Sequence, residues 1–104
     1  ERATEENPVA VKKFLEKPDL ATAKSIFQKN TYLWNSGIFM FRAQDMIKAF
    51  ELYAKDILSE VTQSVDLSVE DLTFTKLNTK HWSDLQDISI DYAIMEKAKN
   101  LISL

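Results

Sequence analysis

The sequence predicts an α/β fold, rich in helix and with few strands. Three stretches carry that expectation. Residues 9–15, VAVKKFL, are dense in β-branched and aromatic side chains. Residues 38–41, IFMF, are apolar on both faces of an extended chain, as for a strand buried on both sides of a sheet. From Ala43 to Val61 the apolar residues Met46, Ile47, Phe50, Tyr53, Ala54, Ile57, Leu58 and Val61 recur at helical spacing. Strand, helix, strand, helix and a terminal helix with a final strand make the order of part of an α/β domain.

Each element has a local reason. The first strand ends before Glu16-Lys17-Pro18, because a proline disfavours a helical residue before it. Asp19 then stands as an N-cap, and Leu20, Ala23, Ile26 and Phe27 share one face of the helix that follows. The long stripe from Ala43 is expected to break near Lys55. Residues 62–87 are polar; LTFTKL alternates like a short strand, and NTKHWSDLQD suits a loop or a short helical turn. The last helix runs through SIDYAIMEKAKNL, capped by Ser89, with Asp91 favourable in its first turn and Ile90, Ala93, Ile94 and Leu101 on one face. Leu101, Ile102 and Leu104 suit a strand whose edge nothing later in the chain covers, which suggests a piece of a longer protein.

Composition narrows the classes. With 104 residues there is room for one domain, and 45% apolar with 28% charged residues is ordinary for a soluble globular chain. A formal charge of −3 argues against nucleic acid and an anionic membrane as partners. No run approaches the ~18 apolar residues of a membrane span. Without cysteine there is neither a disulfide framework nor a thiolate zinc site, and a reducing, cytoplasmic home is expected.

The candidate chemistry sits in three motifs. In Glu16-Lys17-Pro18 a lysine can meet a phosphate as a point charge, and a carboxylate can accept from sugar hydroxyls. The plainer alternative is a solvated loop, and neighbours on an extended chain reach a common point only if the loop bends. In Asn35-Ser36-Gly37 the amide both donates and accepts, and the single glycine of the chain permits φ > 0 or a close approach of ligand to backbone. Taken alone, these residues are more simply read as a tight turn, and Trp34 beside it suits the core or a pocket wall. Glu96-Lys97, late on a helix, reads from the residues alone as a surface charge pair. Asp84, Asp87 and Asp91 are read as favourable charges at a helix start rather than a cation site. His81, the only histidine, has no recognisable acid or serine partner and is given no catalytic role. No Gly-rich phosphate loop occurs in the sequence.

Taken together and in this order, FLEKPDLATAKSIF, YLWNSGIFMFR and SIDYAIMEK closely resemble the mannose-1-phosphate guanylyltransferases, of the bacterial type often fused to a mannose-6-phosphate isomerase domain. The resemblance runs from about Val9 to Leu104. Leu15, Ile38 and Ile94 are conservative departures from the family's usual wording. It implies a nucleotide-diphospho-sugar transferase fold, a Rossmann-like α/β/α layering, of which residues 1–104 form the C-terminal sugar-binding portion. It also implies synthesis of GDP-mannose and pyrophosphate from GTP and mannose 1-phosphate, with Mg²⁺ in the complete enzyme and none held by this segment.

By the same resemblance Glu16 holds sugar hydroxyls and Lys17 the sugar phosphate. Asn35 and Gly37 complete the sugar pocket, Ser36 shapes the turn, and Glu96 and Lys97 bind or support from the helix; no residue is assigned a catalytic step. The family's Gly-rich nucleotide loop is expected before Glu1 and its metal-binding aspartate after Leu104, so Asp84 receives no metal role and the segment is expected to be inactive alone. Two alternatives stand beside this one: a transferase for another sugar 1-phosphate, and a non-catalytic assembly module of the same fold. A homo-oligomer is left open.

Overall fold

A helix begins at Leu20 because Asp19 stops the extended chain before it: the Asp19 carboxylate accepts the Thr22 N–H at 2.7 Å. The computed structural model describes residues 7–104. In chain order these form β1 (Val9–Ala10), α1 (Leu20–Gln28), α2 (Ala43–Tyr53), α3 (Lys55–Asp66), β2 (Val69–Asp71), β3 (Phe74–Lys76), α4 (Thr79–Ser83), a single π-helical turn (Asp91–Met95) and β4 (Ile102–Ser103). The described residues are helix-rich with few strands, as expected.

The stripe from Ala43 becomes two helices. Ala54 leaves helical geometry, with φ −148° and ψ 50°, and separates α2 from α3 next to the expected break. Of the stripe residues, Met46, Phe50, Tyr53, Ala54, Ile57, Leu58 and Val61 are half-buried, whereas Ile47 is exposed. The most deeply buried apolar residues are Ala93, Ile94 and Met95 of the π-turn, which packs on α2. A one-turn π-helix replaces the longer helix expected at residues 89–101. Ser89 still serves its start, accepting the Tyr92 N–H at 3.4 Å.

α4 is tied to α3 by polar contacts. Ser64, fully buried, donates its hydroxyl to the Asn78 carbonyl at 3.1 Å and accepts the Asn78 N–H on its own carbonyl at 3.0 Å. His81 does have an acid partner, contrary to expectation: its Nδ1 lies 2.8 Å from Glu60 Oε2. The two residues are 21 apart in sequence, and helix packing, not spacing, brings them together.

The strands are shorter than the sequence suggested. Only Val9–Ala10 of the run 9–15 forms a ladder, pairing antiparallel with Ile102–Ser103, and the Val11 N–H extends it to the Leu101 carbonyl at 2.9 Å. The terminal strand therefore has one covered edge. LTFTKL supplies β3, whose hairpin partner β2 lacked an apolar signature. Residues 38–41 do not form a strand: Ile38 is 83% and Met40 93% exposed. A strand of this composition needs a sheet covered on both faces, and the only sheets among the described residues are the two-stranded pairs β1–β4 and β2–β3.

Phe27, Leu20 and Trp34 likewise face solvent, although the first two were expected on the inner face of α1 and Trp34 in a core or pocket wall. The accessible surface is 9042 Å², whereas a folded chain of this size exposes about 6000 Å². The radius of gyration, 17.6 Å, likewise exceeds the roughly 13 Å of a packed domain of this length. No described helix is long and apolar enough to cross a membrane.

Candidate functional site

The chain bends at Glu16 and Lys17 between β1 and α1. Lys17 occupies the left-handed region, φ 46°, immediately before Pro18. Few non-glycine residues do so, and such conformers cost of order 1–3 kcal/mol unless the surroundings enforce them. Two anchors enforce this one. On its N-terminal side the Glu16 N–H donates to Glu96 Oε1 at 3.0 Å. On its C-terminal side Pro18 leads into the Asp19 cap of α1, where the Thr22 N–H holds the Asp19 carboxyl below its ordinary value. The Lys17 ammonium makes no hydrogen bond or ion pair among the described residues. It is an exposed cation on a fixed, strained bend.

The glycine turn is built locally. Asn35 Oδ1 accepts the Gly37 N–H at 2.9 Å, an Asx-type turn that closes on φ 74° at Gly37. A Cβ at Gly37 would meet no atom within 4 Å. Backbone conformation therefore calls for glycine here, and the space in front of it is open. Asn35 keeps both amide N–H groups to donate, with one carbonyl lone pair engaged in the turn.

Glu96 and Lys97 leave the π-turn in different directions. The Glu96 N–H donates to the Asp91 carbonyl at 2.9 Å, the five-residue step of a π-helix. The Glu96 carboxylate reaches the Glu16 N–H, and Lys97 Nζ donates to the Tyr53 carbonyl at 3.4 Å. Tyr53 is the last residue of α2, where an unpaired carbonyl and the negative end of the helix dipole both favour a cation. Asp91 Oδ1 is buried without a partner.

The structure thus joins the first and third motifs, 80 residues apart, through the Glu16–Glu96 contact. Among the described residues no hydrogen bond joins the 35–37 turn to Glu16, Lys17, Glu96 or Lys97. Two open hollows lie nearby, one of about 170 Å³ including Tyr53, Ile57, Ala93 and Lys97, the other of about 360 Å³ including Lys13, Thr22, Lys29 and Tyr32. Neither takes in Lys17 or the turn. Sequence reasoning missed Tyr53, whose contribution is a backbone carbonyl and carries no side-chain signal. Among the described residues no group of three or more His, Cys, Asp or Glu could hold a metal ion.

The family model for nucleotidyl transferases matches residues 2–99. A mannose-1-phosphate guanylyltransferase of Sinorhizobium fredii is 43% identical over 91 residues, covering 88% of this chain and 18% of that protein. An Escherichia coli protein of the same name is 37% identical over 92 residues, covering 88% of this chain and 20% of its own length. The xanthan biosynthesis protein XanB of Xanthomonas campestris is 36% identical over 93 residues, covering 89% and 20% respectively. The chain thus spans about a fifth of the length of these relatives. No solved structure matches it. The match across almost the whole chain and the bend, turn and π-turn on which its motifs lie lead to one conclusion: this chain belongs to the nucleotidyl transferase family.

Proposed function

We propose that the chain is the sugar-phosphate-binding portion of a mannose-1-phosphate guanylyltransferase, which makes GDP-mannose and pyrophosphate from mannose 1-phosphate and GTP in the cytoplasm. The observation that carries the proposal is Lys17: a cation with no partner among the described residues, on a bend anchored at both ends. The names of the similar proteins support the choice of sugar and nucleotide.

In this reaction a phosphate oxygen of the sugar ester attacks the α-phosphorus of GTP and pyrophosphate leaves. Two polyanions must be held close together in line, so positioning and charge neutralisation supply most of the rate. Lys17 offsets the charge of the sugar phosphate, and Glu16 accepts from sugar hydroxyls. Asn35 donates to the sugar through its free N–H groups, Gly37 leaves room for it, and Ser36 completes the turn. Glu96 and Lys97 support the site. Mg²⁺, expected for the complete enzyme, finds no ligand set among the described residues, and none of these roles passes through it.

The test is pyrophosphate release by the complete polypeptide that carries this segment, offered GTP or ATP with mannose 1-phosphate or glucose 1-phosphate. Turnover is expected with GTP and mannose 1-phosphate, reduced about a hundredfold by Lys17→Ala, the loss of one charge-assisted contact. A preference for glucose 1-phosphate would reassign the sugar, and no release with any pair would remove the transferase proposal. The 104-residue chain alone is expected to release none.

A further inference from the structure

We propose that Glu96 is a positioning residue: by accepting the Glu16 N–H, its carboxylate holds the bend that presents Lys17. The proposal rests on the function proposed above, and it assigns Glu96 an effect on sugar-phosphate binding through the loop and not through contact with the sugar.

Three features support it. The Glu16–Glu96 hydrogen bond, 3.0 Å long, joins the residue before Lys17 to a residue 80 positions away. Lys17 needs such a restraint, because a left-handed lysine before a proline relaxes unless its neighbours fix it. Glu96 in turn has a rigid base. It follows the buried residues Ala93, Ile94 and Met95, and its neighbour Lys97 is held on the Tyr53 carbonyl.

The π-turn decides which side chain reaches the loop. Successive residues of an α-helix are rotated by about 100°, so the extra residue of a π-turn rotates everything after it by one such step. With the i–5 bond from Glu96 to Asp91, Glu96 meets the loop and Lys97 meets α2. An ordinary α-helical turn would change which residue faces Glu16.

What the Glu16 N–H requires is an acceptor oxygen, not a negative charge. Glutamine at 96 still offers a carbonyl oxygen at the same reach, whereas alanine offers nothing. The clamp therefore predicts a specific rescue. In the complete polypeptide, Glu96→Ala should raise the KM for mannose 1-phosphate about tenfold, leaving the KM for GTP within about twofold. Glu96→Gln should stay within about threefold of the unmodified enzyme in both. Amide hydrogen exchange at Glu16, followed by selective labelling, should show protection in the unmodified protein and in Glu96→Gln, and its loss in Glu96→Ala.

Equal loss of activity in Glu96→Gln and Glu96→Ala would overturn the clamp, since the charge would then be what matters. An unprotected Glu16 amide in the unmodified protein would overturn it directly. Absence of turnover in the unmodified protein would instead remove the transferase proposal, and the exchange measurement would still decide whether Glu96 holds the bend.

Discussion

Ser64 and Asn78 hold each other from both sides, hydroxyl to carbonyl at 3.1 Å and N–H to carbonyl at 3.0 Å. The second bond has a clear physical cause. Ser64 lies within the last four residues of α3, so its carbonyl has no partner within the helix, and the Asn78 N–H fills that need. Asn78 also caps α4 through its side chain, which accepts the His81 N–H at 3.4 Å. A single buried serine thus sets where α4 starts relative to α3.

Removing that hydroxyl should cost about 1 kcal/mol, the net value of one buried hydrogen bond. Ser64→Ala is expected to lower the urea midpoint accordingly, with an unchanged m-value. Ser64→Leu should cost more, roughly 1–3 kcal/mol beyond the alanine variant, because the site is fully buried and has no room for a larger side chain. Equal midpoints for the alanine variant and the parent would show that the hydroxyl bond contributes nothing net.

The β2–β3 hairpin carries a correctable strain. Asp71 faces Phe74 across a two-residue loop, and Leu72, the first loop residue, has φ 57°. Leucine is a poor choice for that region, and at 94% exposure it gains no packing in return. Asparagine tolerates left-handed backbone better. Leu72→Asn should therefore stabilise the chain by about 0.5 kcal/mol, read as a rise in Tm. A fall in Tm would show that the left-handed backbone at Leu72 is not a cost that asparagine relieves.

Asp19 gives a pH dependence confined to acid. Its carboxylate is held below the ordinary 3.8, first by the Thr22 N–H, so folding favours the charged form. That contribution is fully present above the unfolded value and disappears as pH falls through the lower folded value. Asn at this position caps a helix as well and does not titrate. The stability difference between parent and Asp19→Asn should thus be constant above pH 5 and shift against the parent below about pH 3.8. A difference that stays flat down to pH 2 would show that the cap bond does not depend on the charge.

Much of this was legible in the sequence where the cause is local. The Asp19 cap, the stripe over α2 and α3, the break at Ala54 and the glycine turn depend on residues within a few positions of one another. What was not legible depends on distant partners. Residues 38–41 have the composition of a doubly covered strand, but composition does not say whether a neighbouring strand lies beside it, and among the described residues none does. His81 and Glu60 meet only because α4 packs on α3. The family resemblance points to Glu96 as a binding or supporting residue, while the atom it holds, the Glu16 N–H, is visible only in three dimensions.

Lys17 separates stability from function more sharply than any other residue. Its left-handed backbone is a cost that glycine does not carry, even after the extra unfolded-state entropy of glycine is counted. Lys17→Gly should therefore stabilise the fold by about 1 kcal/mol, whereas Lys17→Ala, which keeps the strain, should leave stability within about 0.5 kcal/mol. Both variants lose the ammonium, so both should lose sugar-phosphate turnover in the complete polypeptide to a similar degree. Paired denaturation and kinetic measurements on the two variants test this. If Lys17→Gly is destabilised, the bend is not strained as the backbone angle implies. If it keeps its turnover, Lys17 does not hold the phosphate, and the cation that does must be sought elsewhere in the protein.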